Sequence, residues 1–309
     1  LGSKNVKSYL HYSVEAANTE KDYDDCLSST LDTLEVSKGS SFLPFSVFKP
    51  TGYGSSKLFE KRANNSQLTD DESLAWKRII KRFEITFDKA KSMGISVFVD
   101  AEESWIQPAI DQIVEQMMIK YNKNRPVVFH TLQMYRKGRL NYLKELNEKS
   151  LQHKFIVGIK LVRGAYMEME RSRAISKNYP SPICDTKNDT DLQYDQAISF
   201  MFDNIDRFSM FLGSHNEASA RKAIEMAKKA KIPNNHPNIS FGQLYGMSDN
   251  ITFELADLGY RVVKYLPYGP VKEVIPYLIR RANENTSVAG QTNRELNLIL
   301  EELDRRKTS

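Results

Sequence analysis

Cysteine is scarce: Cys26 and Cys184 are the only two in 309 residues, and neither stands in a CxxC or metal-ligand spacing. A disulfide framework is therefore not expected, and a reducing compartment is. The five histidines (His11, His130, His153, His215, His236) form no HxH or HExxH pair, which speaks against a zinc site. No GxSxG elbow occurs, and Gly52-Tyr53-Gly54 lacks both the third glycine and the βαβ setting of a dinucleotide-binding turn. Apolar runs fall far below the ~18 residues of a membrane-spanning helix. The net charge of +5 is the small difference between 44 basic and 39 acidic residues scattered along the chain. With no basic stripe interleaved with aromatics, nucleic-acid binding is not expected.

What is present is ordinary in bulk, 40% hydrophobic and 27% charged, and large enough for one sizeable core. Short apolar or β-branched runs alternate with longer amphipathic stretches from end to end. The runs predict strands over Ser8–Val14, Leu43–Lys49, Ile95–Asp100, Val127–Leu132, Phe155–Val162, Met210–Ser214, Ile239–Leu244 and Arg261–Tyr265. The stretches predict helices over Glu20–Val36, Glu72–Met93, Ile106–Tyr121, Tyr135–Glu148, Thr190–Arg207, Glu217–Lys231, Ile251–Leu258 and Val271–Glu284. Such alternation indicates parallel strands with crossover helices, and eight units indicate a closed (β/α)8 barrel of one domain spanning residues 1–309. Arg62–Thr69 and Lys177–Asp191 are expected as surface loops, and Asn293–Arg305 as a helix capping the core. The opening Leu1-Gly2-Ser3, without methionine, points to a piece of a longer protein.

In such barrels the loops after the strands build the active site. The strand ends carry Lys49, Asp100, Gln133, Lys160, Arg163, His215 and Tyr265. Asp100-Ala101-Glu102-Glu103 reads as a strand end passing into a helix, where acids complement the helix dipole; Asp100 itself should face the barrel mouth. In Gly158-Ile159-Lys160-Leu161-Val162-Arg163-Gly164-Ala165-Tyr166, strand alternation turns either Lys160 or its neighbours inward. A lysine inside a barrel needs an anionic partner or a chemical task. Arg163 followed by Gly164 and Ala165 suits a cofactor phosphate or a flavin ring, and a structural ion pair is the other reading. Ser214 or Asn216 can cap the helix that follows, with His215 a donor between them. Arg280 and Arg281 lie near the end of the eighth helix with Glu284 one turn on. Two adjacent guanidinium forks suit a single small carboxylate better than one surface ion pair.

These segments carry a resemblance to a known family. Val99-Asp100-Ala101-Glu102-Glu103, Lys160-Leu161-Val162-Arg163-Gly164-Ala165-Tyr166, Phe241-Gly242-Gln243-Leu244-Tyr245-Gly246-Met247 and the pair Tyr265-Leu266-Pro267 with Tyr277-Leu278-Ile279-Arg280-Arg281 are similar to motifs of the FAD-dependent proline dehydrogenases, most of all the mitochondrial eukaryotic branch. The resemblance implies a distorted (β/α)8 barrel with flavin at the strand ends and the eighth helix over the mouth. It implies that Arg280, Arg281 and Lys49 hold the carboxylate of L-proline, that Tyr265, Tyr166 and Leu244 line the ring pocket, and that Asp100 orders the charges. On the flavin side it implies Gln133, Lys160, Arg163, Ser214, His215 and Glu284. The implied reaction is oxidation to Δ1-pyrroline-5-carboxylate by hydride transfer from C5 to flavin N5. Electrons would pass to a quinone, with peripheral contact at the matrix side of the mitochondrial inner membrane. Lys160 stands where many bacterial members have arginine, and Met167 where they have tryptophan. Two other readings stay open on the residues alone: a Schiff-base aldolase using Lys160, and a barrel that binds without catalysis.

Overall fold

The computed structural model describes residues 1–12, 17–269, 271, 274, 275, 278, 279 and 291–307. Eight strands, β1 (Lys7–Tyr12), β2 (Phe45–Phe48), β3 (Ser96–Val99), β4 (Val128–Gln133), β5 (Val157–Val162), β6 (Phe208–Gly213), β7 (Ile239–Leu244) and β8 (Val262–Tyr268), form a closed barrel in sequence order. Closure is made by β1 on β8, parallel, from Lys7↔Val263 to Tyr12↔Tyr268. The helices between them are α1 (Glu20–Ser37), α2 (Ser56–Ala63), α3 (Asp70–Met93), α4 (Gln107–Tyr121), α5 (Arg139–His153), α6 (Met167–Ser176), α7 (Lys187–Asp203), α8 (Glu217–Lys229) and α9 (Asp249–Asp257). Backbone at 271, 274, 275, 278 and 279 is helical, as expected for the eighth unit. Arg280, Arg281 and Glu284 fall outside the described residues.

Alternation along each strand divides the apolar residues between two cores. Outward-facing Val97, Val99, Val128, Ile159, Leu161, Met210 and Leu212 pack under the helices. Inward-facing Tyr9, Phe45, Val47, Phe98, Phe129, Phe211, Val263 and Tyr265 fill the barrel. The filling is unusually aromatic: Phe45 stacks on Phe98 with centroids 4.6 Å apart, and Phe98 lies 4.6 Å from Phe211. Room for Phe211 comes from Gly242, where a Cβ would stand 2.1 Å from the ring's Cζ.

Helix starts follow their local chemistry. Thr19 with Asp22, Thr69 with Glu72 and Thr186 with Asp189 each form a reciprocal capping box. The last of these starts α7 inside the stretch expected to be loop 177–191. The expected helix Tyr135–Glu148 begins only at Arg139, because Gly138 adopts φ 81° just before it. The segment after β3 also departs from expectation. Asp100–Glu103 does not open a helix; α4 begins at Gln107, and the acids lie in the preceding loop. The final helix, Gln291–Lys307, is not a core cap at its described side chains, since Ile299, Leu300 and Leu303 are all exposed.

Candidate active site

Because every strand runs the same way, the strand-end residues share one rim. The inward face of β5 settles the alternation left open by the sequence: Gly158, Lys160 and Val162 point in. Lys160 is 8% exposed, and its Nζ donates to Asp100 Oδ1 at 2.6 Å. Phe98 and Tyr9 stand beneath the ammonium, with ring centroids 5.2 and 5.5 Å away. A cation between a carboxylate and aromatic faces is well compensated for its burial. Burial alone would raise the Asp100 carboxyl, but the charges of Lys160, His11 and Lys49 together hold it below the usual carboxylate range.

His11 of β1 and Tyr265 of β8 add to the rim. Tyr265 is buried, and its hydroxyl lies 2.6 Å from His11 Nδ1. Leu244, the last residue of β7, packs against the inner aromatic cluster beside it. Lys49 caps a short 3-10 turn over Pro50–Gly52 at the end of β2. Tyr166 lies at the start of α6, half-buried, and burial raises its phenol above the ordinary value. Lys49 opposes that rise, while Glu102, Glu103 and Asp100 add to it. Five ionisable side chains from three loops thus feel one another at the mouth.

Glu102, expected to complement a helix dipole, is instead buried, at 5% exposed. Its carboxylate accepts from the Thr51 N–H at 2.8 Å and from Thr51 Oγ1 at 2.6 Å. Burial pushes it up to about 7 despite Lys49 and the Thr51 donors. An acid following a strand gives the same sequence signal whether it caps a helix or is buried, so only the tertiary contact separates the two.

Arg163, Ser214 and His215 gather on the neighbouring part of the rim. Arg163 donates through Nε to Asp191 at 2.6 Å, and through its two amino groups to Ser214 Oγ at 2.7 Å and Ser219 Oγ at 3.0 Å. Its guanidinium also covers the Tyr194 ring at 4.4 Å. His215 Nδ1 lies 2.9 Å from Ser248 Oγ. On β4, Gln133 is 3% exposed and its Oε1 has no hydrogen-bond partner among the described residues; the same is true of Thr131 Oγ1 below it. Both face the interior next to β5, in register with Val162 and Lys160. Buried acceptors are rarely left unpaired without a ligand or water to meet them. Gly164, with φ 138° and Tyr135 so near that a Cβ would clash at 2.4 Å, keeps the adjoining backbone bare. A flat, polar-edged ring fits this donor and acceptor set.

The closed parallel barrel is of the (β/α)8 class, and its mouth holds a largely buried ion pair and, among the described residues, unpartnered polar groups. Residues 1–294 match the family described as proline dehydrogenase, and the chain belongs to that family. It is 37% identical over 306 residues to the carbapenem antibiotics biosynthesis protein CarD of Pectobacterium carotovorum, covering 99% of this chain and 79% of that protein. It is 39% identical over 247 residues to mitochondrial proline dehydrogenase 1 of Caenorhabditis elegans, covering 78% of this chain and 40% of the relative. The human mitochondrial proline dehydrogenase 1 gives 37% over 244 residues, 78% of this chain and 41% of the relative. The chain thus spans well under half the length of these two animal relatives. Among solved structures, proline utilization A of Bdellovibrio bacteriovorus, inactivated by N-propargylglycine, superposes with a TM-score of 0.82. The match has 21% identity and covers 93% of this chain and 31% of that one. With relatives from mitochondria and from a bacterium, family membership alone assigns no compartment.

Proposed function

We propose that this chain oxidises L-proline to Δ1-pyrroline-5-carboxylate with FAD as its resident redox group. The observation that carries the reading is the mouth of the barrel. A largely buried Lys160–Asp100 pair stands near Gln133 Oε1, which has no partner among the described residues, above an apolar floor, in a chain of the proline dehydrogenase family. Gln133 would offer a hydrogen-bond acceptor to a bound flavin, and Lys160 and Arg163 would supply positive charge to stabilise its reduced form. Ser214, His215 and, by resemblance, Glu284 complete the holding set. When bound, FAD supplies the acceptor for the hydride leaving C5 of the proline ring.

The protein's own contribution is positioning. Lys49 offers an ammonium to the proline carboxylate, joined by Arg280 and Arg281 on the resemblance. Tyr265, Leu244 and Tyr166 wall the ring, and Asp100 holds Lys160 in place. Lys160 Nζ is committed to Asp100, an arrangement that does not favour Schiff-base chemistry at that nitrogen. Transfer of electrons to a quinone, with peripheral contact at the matrix side of the mitochondrial inner membrane, is the onward route we infer from the relatives named as mitochondrial.

Purified protein should be yellow and should bleach with L-proline under anaerobic conditions. Arg281→Met should retain flavin and lose kcat/KM for proline by about 2–5 kcal/mol, the cost of removing one partner of a buried charge pair. Wild-type kinetics in that variant would remove Arg281 from the site. A colourless protein trapped by borohydride with a carbonyl substrate would replace the whole reading with the aldolase one.

A further inference from the structure

Glu102 has no place in the site as the family resemblance draws it, yet the fold gives considerable buried space to its charge. Both carboxylate oxygens are used, and both on one residue: Oε1 accepts the Thr51 N–H and Oε2 the Thr51 hydroxyl. Thr51 lies in the 3-10 turn Pro50–Gly52 whose first carbonyl is that of Lys49, bonded by the Gly52 N–H at 2.9 Å. The turn's remaining N–H and its hydroxyl are thus pinned from the neighbouring loop after β3, two residues from the Lys49 side chain. Glu102 is pinned in its turn. Its own N–H donates to Gln107 Oε1 at 3.0 Å, and Gln107 Nε2 donates to Asp111 Oδ1 at 2.9 Å. Asp111 is locked by Arg139 at 2.7 Å and His130 at 2.7 Å. A chain of buried polar contacts therefore runs from the α4–α5 layer through β3's loop to the turn that presents Lys49.

We propose that Glu102 is a positioning residue for substrate binding: it clamps the Pro50–Gly52 turn and sets a negative charge beside Lys49, so that the ammonium is held at the mouth for the carboxylate of the substrate. The proposal rests on the proline reading for the identity of that substrate. Its geometry does not depend on that reading. A neutral amide would serve a purely structural clamp at lower desolvation cost. The carboxyl also suits a clamp that survives titration. On protonation the Glu102 hydroxyl can donate to Thr51 Oγ1 while the carbonyl still accepts the Thr51 N–H. Charge then changes beside Lys49 without release of the turn. The charged or titratable groups facing Glu102 are Lys49 from the end of β2, Glu103 in its own loop, and Tyr166 from the start of α6. Titration near neutral pH follows from burial set against these neighbours.

The test compares full-length wild type, Glu102→Gln and Thr51→Val. Steady-state KM and kcat for proline are measured from pH 5.5 to 8.5 with flavin content and visible spectrum. Labelling of Lys49 by acetic anhydride, read by mass spectrometry, reports on the ammonium without reference to turnover. Glu102→Gln should raise KM about tenfold at pH 8 with kcat and flavin content little changed, the scale of loss that follows a small misplacement of a binding group. It should abolish the inflection of kcat/KM near pH 7 and speed Lys49 labelling severalfold. Thr51→Val should raise KM and keep the inflection. If Glu102→Gln merely lowers the melting temperature while KM, the pH profile and Lys49 labelling stay as in wild type, the proposal is overturned. If wild type does not oxidise proline but Lys49 labelling responds as expected, the proline reading fails and the clamp stands.

Discussion

Removing Asp100 leaves the Lys160 ammonium over aromatic rings with its carboxylate gone, whereas removing Lys160 leaves Asp100 the charges of His11 and Lys49. Asp100→Asn should therefore cost roughly 2–4 kcal/mol of stability in urea, below the full figure for a buried pair because both side chains keep some solvent contact. Lys160→Met, which fills the same space with an apolar chain, should cost less, and the comparison separates charge from volume. Glu102 makes a second prediction with a defined sign. Its carboxyl titrates near 4.5 in an unfolded chain and at about 7 in the folded one. Between those values the folded protein holds the extra proton, so this group's contribution is fully present below pH 4.5 and is lost as pH rises to 7. Wild type minus Glu102→Gln stability, measured by urea unfolding across that window, should fall by up to about 3 kcal/mol. A flat difference would show that Glu102 is already charged in the fold at pH 5. Residue chemistry was partly legible in the sequence. Lys160 was visible because a lysine in a strand demands an explanation, and Asp100 because a strand end points to the mouth. Glu102 was hidden because an acid after a strand has a cheaper local explanation.

At the scale of elements, the eight strands and their crossover helices were readable from apolar periodicity, since parallel strands buried on both faces leave near-continuous runs. The helices α2 and α6 were not, being only 8 and 10 residues long. What secures α6 is tertiary: Glu170, wholly buried, accepts from the Ser104 N–H at 2.6 Å and the Ser104 hydroxyl at 2.5 Å, and Arg173 lies over Trp105. No periodicity announces such a contact. The strand interior also contains a packing fit that can be tested. Adding a methyl at Gly242 pushes into Phe211, itself held by Tyr9, Phe45 and Phe98. Gly242→Ala should destabilise by about 1–3 kcal/mol, the usual cost of overpacking, and Phe211→Leu in the same chain should restore most of it. Failure of the second change to compensate would mean that the backbone of β7, rather than the ring, is what glycine accommodates.

Over the whole molecule, the described part of the C-terminal helix stands apart from the barrel's cores. Ile299, Leu300 and Leu303 are exposed rather than buried beneath it. Its amphipathic pattern predicted a cap, because periodicity identifies an apolar face but not what covers it. Truncating the chain after residue 298 should leave the melting temperature of the barrel within about 2 °C, since Ile299, Leu300 and Leu303 are exposed. A large drop would reveal packing by the rest of that segment.

The aromatic plug has a kinetic corollary. With Phe45, Phe98, Phe129 and Phe211 crowded along its axis, the cylinder is a cup with a sealed base, and small molecules cannot pass through it. On the proposed reading, a donor and an acceptor that both approach the mouth would have to visit in turn. Initial velocities measured with both varied should fall on parallel double-reciprocal lines, the signature of alternating guests.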